Sequence, residues 1–125
     1  MRLLRTTIVT GFLALAALPP WAGTAEAHAF LRHAIPLVGS TIPQSPPVMT
    51  LDYTEGVEPR FSSVVVTDAQ GQRVDKNDLR RDEGNEKRLL IGLQPLKPGA
   101  YKVEWHITSV DTHRTEGTFT FTVQP

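Results

Sequence analysis

The chain has 125 residues, enough for one domain, and its 13 Lys and Arg balance 13 Asp and Glu to a formal net charge of zero. That balance gives no support to nucleic-acid binding, which normally shows as a basic excess or a basic stripe. There is no Cys, so disulfides, thiolate metal sites and cysteine nucleophiles are excluded. The 10 Pro and 9 Gly favour strands and turns over helices.

The N-terminal segment has the pattern of a secretory signal peptide. A positively charged start is followed by an apolar core over residues 8–18 and by small residues at Ala25 and Ala27, which form a small-x-small cleavage site. The apolar core is too short for a membrane anchor, since a spanning helix needs about 20 apolar residues. We therefore predict a signal peptide over residues 1–27 and a single mature domain over residues 28–125, exported to the periplasm.

The mature chain predicts short strands separated by turn signals. In chain order, the predicted strands lie in residues 29–31, 48–53, 61–67, 88–93, 101–109 and 118–123, with a further short return strand beginning at residue 73. Segment 75–87 is charged and aperiodic and is interpreted as a surface loop, and segment 110–117 as a second loop. No helix of ordinary length fits, which predicts an all-β, Greek-key β-sandwich or barrel of the immunoglobulin-like (cupredoxin-like) type with about seven strands.

Two places in the mature chain could together hold a metal ion. Cleavage after Ala27 makes His28 the N-terminal residue, whose amine and imidazole can chelate one metal. Asp111 and His113, two residues apart in the predicted late loop, can point the same way and add a carboxylate oxygen and an imidazole nitrogen. Alone, His28 could be an incidental frayed end, and Asp111 an ordinary turn residue. Together, three nitrogens and one oxygen suit tetragonal Cu(II), which predicts one Cu(II) per chain.

Several segments of the mature chain follow one another in a specific order. They are His28 directly after the cleavage site, residues 51–59, residues 96–105, the pair Asp111 and His113, and residues 117–123. In this order they resemble the small periplasmic copper-resistance family typified by CopC. The resemblance implies a Greek-key β-barrel and Cu(II) ligands at His28, Asp111 and His113. It also implies a protein that sequesters or ferries copper in copper resistance and homeostasis.

The resemblance implies a partner as well, an inner-membrane copper transporter of the CopD type. We expect a monomer with no membrane span after cleavage. Some members of the family carry a Met-rich segment for Cu(I), whereas Met49 is the one Met in residues 28–125 of this sequence. Because thioether ligation needs several sulfurs, we expect no separate Cu(I) site. His33 and His106 stay open as outer partners of the metal, although strand parity predicts an outward-facing His106.

Two other functions compete with copper binding. An N-terminal His chelate with a second His also occurs in lytic polysaccharide monooxygenases, which would make the chain a copper enzyme. Those enzymes are usually longer, and Asp111 would fill a position that oxygen needs, so we expect no enzymatic activity. A metal-free structural sandwich is the remaining alternative, and it does not explain why His28 follows the cleavage site.

Overall fold

Two four-stranded β-sheets form a sandwich in the computed structural model, which describes residues 28–125. The predicted signal peptide, residues 1–27, lies outside the described residues. In spatial order, the first sheet contains β1 (Leu31–Ile35), β3 (Val48–Tyr53), β6 (Asn85–Gly92) and β5 (Arg80–Asp82). The second sheet contains β2 (Thr41–Ile42), β8 (Arg114–Val123), β7 (Gly99–Thr108) and β4 (Ser63–Thr67). A single 3₁₀ turn, Pro59–Phe61, precedes β4, and none of the described residues forms a helix long and apolar enough to cross a membrane.

Alternation of apolar and polar residues sets the inward faces of the strands. Side chains two residues apart lie on the same face of a strand, so one apolar face per strand can pack against the opposite sheet. The buried residues of the three most regular strands are Met49, Leu51 and Tyr53 in β3, Leu89 and Ile91 in β6, and Tyr101, Val103, Trp105 and Ile107 in β7. The predicted all-β sandwich is confirmed, with eight strands rather than about seven.

Segment 75–87 is not the surface loop that its charge predicted. It contains β5 and the beginning of β6, which pair antiparallel at the edge of the first sheet. Asp75 anchors the segment: it is only 6% exposed, and its carboxylate accepts hydrogen bonds from the backbone N–H groups of Val66 and Asn77 and from Nε of Arg73. A buried charge is tolerated when it is hydrogen-bonded in this way.

The second predicted loop, residues 110–117, is also shorter than expected. β8 begins at Arg114, and β7 and β8 pair along their whole length, from Gly99 opposite Val123 to Thr108 opposite Arg114. The first strand, in turn, runs from Leu31 to Ile35 and not over residues 29–31. The connection between β7 and β8 is therefore a tight loop at the end of the longest hairpin in the described residues.

The core beneath this hairpin is built around Trp105. Its ring meets the ring of Tyr53 edge to face, with centroids 5.5 Å apart, and joins the two sheets. Gly117 lies opposite Trp105 on β8, and a Cβ at that position would lie 2.7 Å from Cε2 of the indole. Only glycine therefore leaves room for the indole at this point of the hairpin.

Candidate metal centre

Hydrogen bonds within the loop between β7 and β8 determine its shape. The backbone N–H of Ser109 donates to the carbonyl of His113 at 2.9 Å, and the N–H of Thr112 donates to the carbonyl of Ser109 at 2.9 Å. Thr112 has φ +73°, in the left-handed region, which lets the chain reverse within so few residues. The N–H of Val110 donates to the carbonyl of Gly56 at 2.9 Å and ties the loop to a neighbouring segment. The loop is thus restrained by hydrogen bonds within its own backbone and by one to Gly56.

Asp111 and His113 lie side by side in this loop. Oδ1 of Asp111 accepts hydrogen bonds from the hydroxyl of Ser109 and, at 3.4 Å, from the backbone N–H of His113. Oδ2 lies 3.2 Å from Nδ1 of His113. The Ser109 hydroxyl, and after it His113, hold the pKa of the Asp111 carboxyl below its usual range, so the carboxylate is ionised at neutral pH.

The spacing of these two donor atoms suits adjacent metal ligands. Protein nitrogen and oxygen ligands lie about 2.0–2.2 Å from a metal such as zinc, so two ligands at a right angle are separated by about 3 Å. The 3.2 Å between Oδ2 of Asp111 and Nδ1 of His113 is close to that value. One loop can therefore supply an oxygen and a nitrogen to the same ion with little movement.

Residues 28–30 reach this loop as a short arm held by two threonines. The hydroxyl of Thr54 accepts a hydrogen bond from the N–H of Phe30 at 3.0 Å and donates to the carbonyl of His28 at 3.1 Å. The N–H of Thr54 donates to the carbonyl of Phe30 at 2.9 Å. On the other side, the hydroxyl of Thr115 donates to the carbonyl of Ala29 at 2.5 Å. The arm therefore connects the end of β3 to the start of β8.

The arm places His28 directly against the loop. The imidazole rings of His28 and His113 meet nearly perpendicular, with centroids 4.7 Å apart. His28 thus contacts His113, which in turn contacts Asp111, so all three predicted ligands lie together. Among residues 28–125, no group of three or more His, Cys, Asp or Glu side chains is arranged to hold a metal ion. The side chains of His28, Asp111 and His113 are therefore neighbours, but they are not arranged around one point as they stand.

A comparison with known proteins assigns the chain to a family. Residues 31–124 match the model of the CopC domain. The chain belongs to the CopC family. Two relatives are Protein YobA of Escherichia coli (strain K12), 38% identical over 78% of this chain and 80% of the relative, and Copper transport protein CutJ of Bacillus subtilis (strain 168), 27% identical over 80% of this chain and 19% of the relative.

Solved structures of CopC proteins share the fold. CopC from Methylosinus trichosporium OB3b is 32% identical, with a TM-score of 0.74 over 78% of this chain and 95% of the other. PcoC, a methionine-rich copper resistance protein from Escherichia coli, is 28% identical, with a TM-score of 0.68 over 78% of this chain and 100% of the other. The family predicted from the order of the sequence segments is therefore confirmed.

The two remaining histidines of this CopC protein have their own contacts. His106 faces outward on β7, as strand parity predicted, with 60% of its side chain exposed and its Nε2 3.1 Å from Oε2 of Glu116. His33 lies on β1, with its Nδ1 3.8 Å from Oδ2 of Asp52. Met49 has no exposed surface in β3, so its sulfur is sealed in the core. These contacts give neither histidine a role in the candidate centre.

Three polar residues that shape the centre were not predicted from the sequence. Ser109 orients Asp111, and Thr54 and Thr115 hold the arm that carries His28. Thr54 directly follows a predicted strand and Thr115 lies in a predicted loop, positions where a hydroxyl is unremarkable. Only Ser109, two residues before Asp111, carried a local signal, because Ser is a frequent partner of Asp in tight turns.

Proposed function

We propose that the mature chain, residues 28–125, binds one Cu(II) ion in the periplasm and sequesters or ferries it in copper resistance and homeostasis. The ligands are the amine and imidazole of His28, the imidazole of His113 and the carboxylate of Asp111. One observation carries the proposal: the ring of His28 lies 4.7 Å from that of His113, and Nδ1 of His113 lies 3.2 Å from the carboxylate of Asp111. Membership of the CopC family supports copper as the metal.

The donor set favours Cu(II) over Cu(I) and over other metal ions. Three nitrogens and one oxygen can take the equatorial positions of a tetragonal ion, which Cu(II) prefers, whereas Cu(I) prefers sulfur. The second imidazole and the carboxylate are already adjacent, and the proposal requires the His28 side chain to move for the set to be complete. The amine becomes a ligand only when the signal peptide has been removed after Ala27.

We further propose that the bound copper is cargo and not a catalyst. Oxygen activation needs an equatorial position that oxygen can enter, and the Asp111 carboxylate, ionised and next to His113, would take it. The copper-loaded protein should therefore consume no ascorbate and produce no hydrogen peroxide above the rate of copper-free protein. Sustained turnover that stops when copper is removed would instead support the monooxygenase-like alternative.

The proposed partner is an inner-membrane copper transporter of the CopD type, with the CopC protein itself a monomer. The match to a segment covering 19% of Copper transport protein CutJ supports this, because a similar domain is there part of a longer protein named for copper transport.

Mass spectrometry of the exported protein tests the compartment and the cleavage site together, with a mass expected for residues 28–125. A mature chain with any other first residue would remove the amine ligand from the proposal.

Competition titrations with a Cu(II) chelator test the ligand set. His28→Ala and His113→Ala should each weaken Cu(II) binding more than about 100-fold, since losing even an outer partner of a metal ligand weakens binding 10- to 100-fold. His106→Ala and His33→Ala are matched controls and should bind as the wild type does. The nitrogen hyperfine pattern in the paramagnetic resonance spectrum of the bound copper should change only in the first pair, because each of those variants removes one of the three nitrogen donors. An equal loss in either control would show that the centre uses other imidazoles.

A further inference from the structure

We propose that Thr54 and Thr115 are positioning residues for metal binding: their hydroxyls clasp residues 28–30 and hold His28 against His113. This inference rests on the proposed Cu(II) function. The two threonines are carried by different sheets: Thr54 directly follows β3 of the first sheet, and Thr115 lies in β8 of the second. The clasp therefore forms only when the two sheets have packed together.

The contacts of the clasp alternate along the arm. Thr54 makes three hydrogen bonds, two through its hydroxyl and one through its backbone N–H, and these hold His28 and Phe30. Thr115 holds the residue between them by donating to the carbonyl of Ala29, from which it is 86 residues away along the chain. Ala29 is 1% exposed, so water is a poor substitute for that hydroxyl. Each residue of the arm is thus fixed by at least one threonine.

An N-terminal metal ligand needs such a device. The first residues of a domain are poorly ordered unless something ties them down. If the backbone of one residue must become ordered when copper binds, the binding constant for Cu(II) falls by about 5- to 30-fold. An arm without the clasp would have this lower binding constant. With the arm already ordered, the amine and imidazole of His28 are presented to the metal in advance, which raises affinity without adding a ligand.

The test compares Thr54→Val and Thr115→Val, which keep the side-chain shape and remove the hydroxyl, with Thr50→Val and Thr120→Val on the outward faces of β3 and β8. In the copper-free processed protein, ¹⁵N relaxation of residues 29–31 should show increased mobility in the first pair only. Their Cu(II) affinity should fall about 3- to 10-fold, the effect of one or two lost hydrogen bonds. Thr54→Ser and Thr115→Ser retain the hydroxyl and should restore both properties.

Wild-type affinity and an ordered arm in both Val variants would overturn the clasp. An equal fall in affinity in the control variants would overturn it too, since the effect would then be general destabilisation. Thr54 is exposed, so Thr54→Val carries the test even if Thr115→Val does not fold. The relaxation measurement needs no copper: if the wild type failed to bind Cu(II), the proposed function would fail while the mobility of the arm still decided the clasp.

Discussion

At the scale of single residues, Ser109 determines how the Asp111 carboxylate is presented. Ser109 is 1% exposed at the end of β7, and its hydroxyl reaches Oδ1 of Asp111. Hydrogen bonds to an ionised carboxylate stabilise the charged form, which is why Ser109, followed by His113, lowers the pKa of Asp111. Oδ2 remains on the side of His113. One oxygen is therefore held by the protein while the other faces the candidate centre.

The substitution Ser109→Ala should raise the pKa of Asp111 toward its ordinary value. The largest cause of the lowered pKa is the hydroxyl that this variant lacks. The measurement is an NMR titration of the Asp111 carboxyl carbon in copper-free protein, with Ser63→Ala, an exposed serine on β4, as the control. A midpoint unchanged from wild type would show that Ser109 does not hold the carboxylate in solution.

Residue chemistry explains which parts of the centre could be predicted from the sequence. His28 was visible because it follows a cleavage pattern, and Asp111 and His113 because two ligand types stand two residues apart. The role of Thr115 could not be predicted, because a hydroxyl that donates to a carbonyl 86 residues away leaves no local pattern in the sequence. The sequence therefore nominates donors for the candidate centre but gives little sign of the residues that position them.

At the scale of strands, the alternation of apolar and polar residues predicted the regular strands. An irregular strand made of charged residues was not predicted, because its sequence resembles that of a surface loop. β3 has the predicted bounds because Met49, Leu51 and Tyr53 alternate with polar residues and are all buried. β5 was missed because it lies at a sheet edge and consists of Arg80, Arg81 and Asp82. Charged residues are common on edge strands, where they discourage pairing with other chains. The strand is recognisable only through its pairing with β6.

One ion pair connects β3 to β6, and we expect it to make stability depend on pH. Asp52 and Arg88 are opposite each other in the first sheet, with Nε of Arg88 2.6 Å from Oδ1 of Asp52. Hydrogen bonding by Arg88 holds the pKa of Asp52 below its ordinary value, with smaller contributions from the charges of His33 and Arg32. Because the pKa is lower in the folded state, the stabilisation is complete above the unfolded value and is lost as pH falls through the folded value.

The variant Asp52→Asn should therefore lose part of the acid dependence of stability. Urea unfolding between about pH 5 and pH 2 should show a smaller fall in the free energy of unfolding than in the wild type. Glu83→Gln, in the exposed turn between β5 and β6, is the matched control and should retain the wild-type slope. Equal slopes for wild type and Asp52→Asn would mean that the ion pair contributes nothing in solution.

At the scale of the whole molecule, the sandwich brings distant parts of the sequence to one place. The arm at residues 28–30, the end of β3 and the loop between β7 and β8 meet through the contacts of Thr54, Thr115 and His113. The single methionine of the described residues, Met49, is meanwhile sealed within the core. The candidate centre therefore offers nitrogen and oxygen donors and no sulfur.

Reduction of the bound copper should release it. A centre of nitrogen and oxygen ligands holds Cu(I) weakly, because Cu(I) prefers soft sulfur ligands. After ascorbate is added, a Cu(I)-selective chelator should remove the metal from the wild type and from Met49→Leu equally. Copper that stayed bound after reduction, and was released only in Met49→Leu, would reveal a thioether site and contradict the exclusive preference for Cu(II).

In the proposed centre, the amine that cleavage after Ala27 creates on His28 is itself a copper ligand. The direct test is a Cu(II) competition titration on two proteins that differ by one residue: the processed chain that begins at His28, and the same chain with Ala27 retained. The extra residue turns the amine of His28 into an amide and leaves every side chain in place. We expect much weaker Cu(II) binding when Ala27 is retained. Equal affinity in the two proteins would contradict the proposed centre, because copper would then be held without the amine.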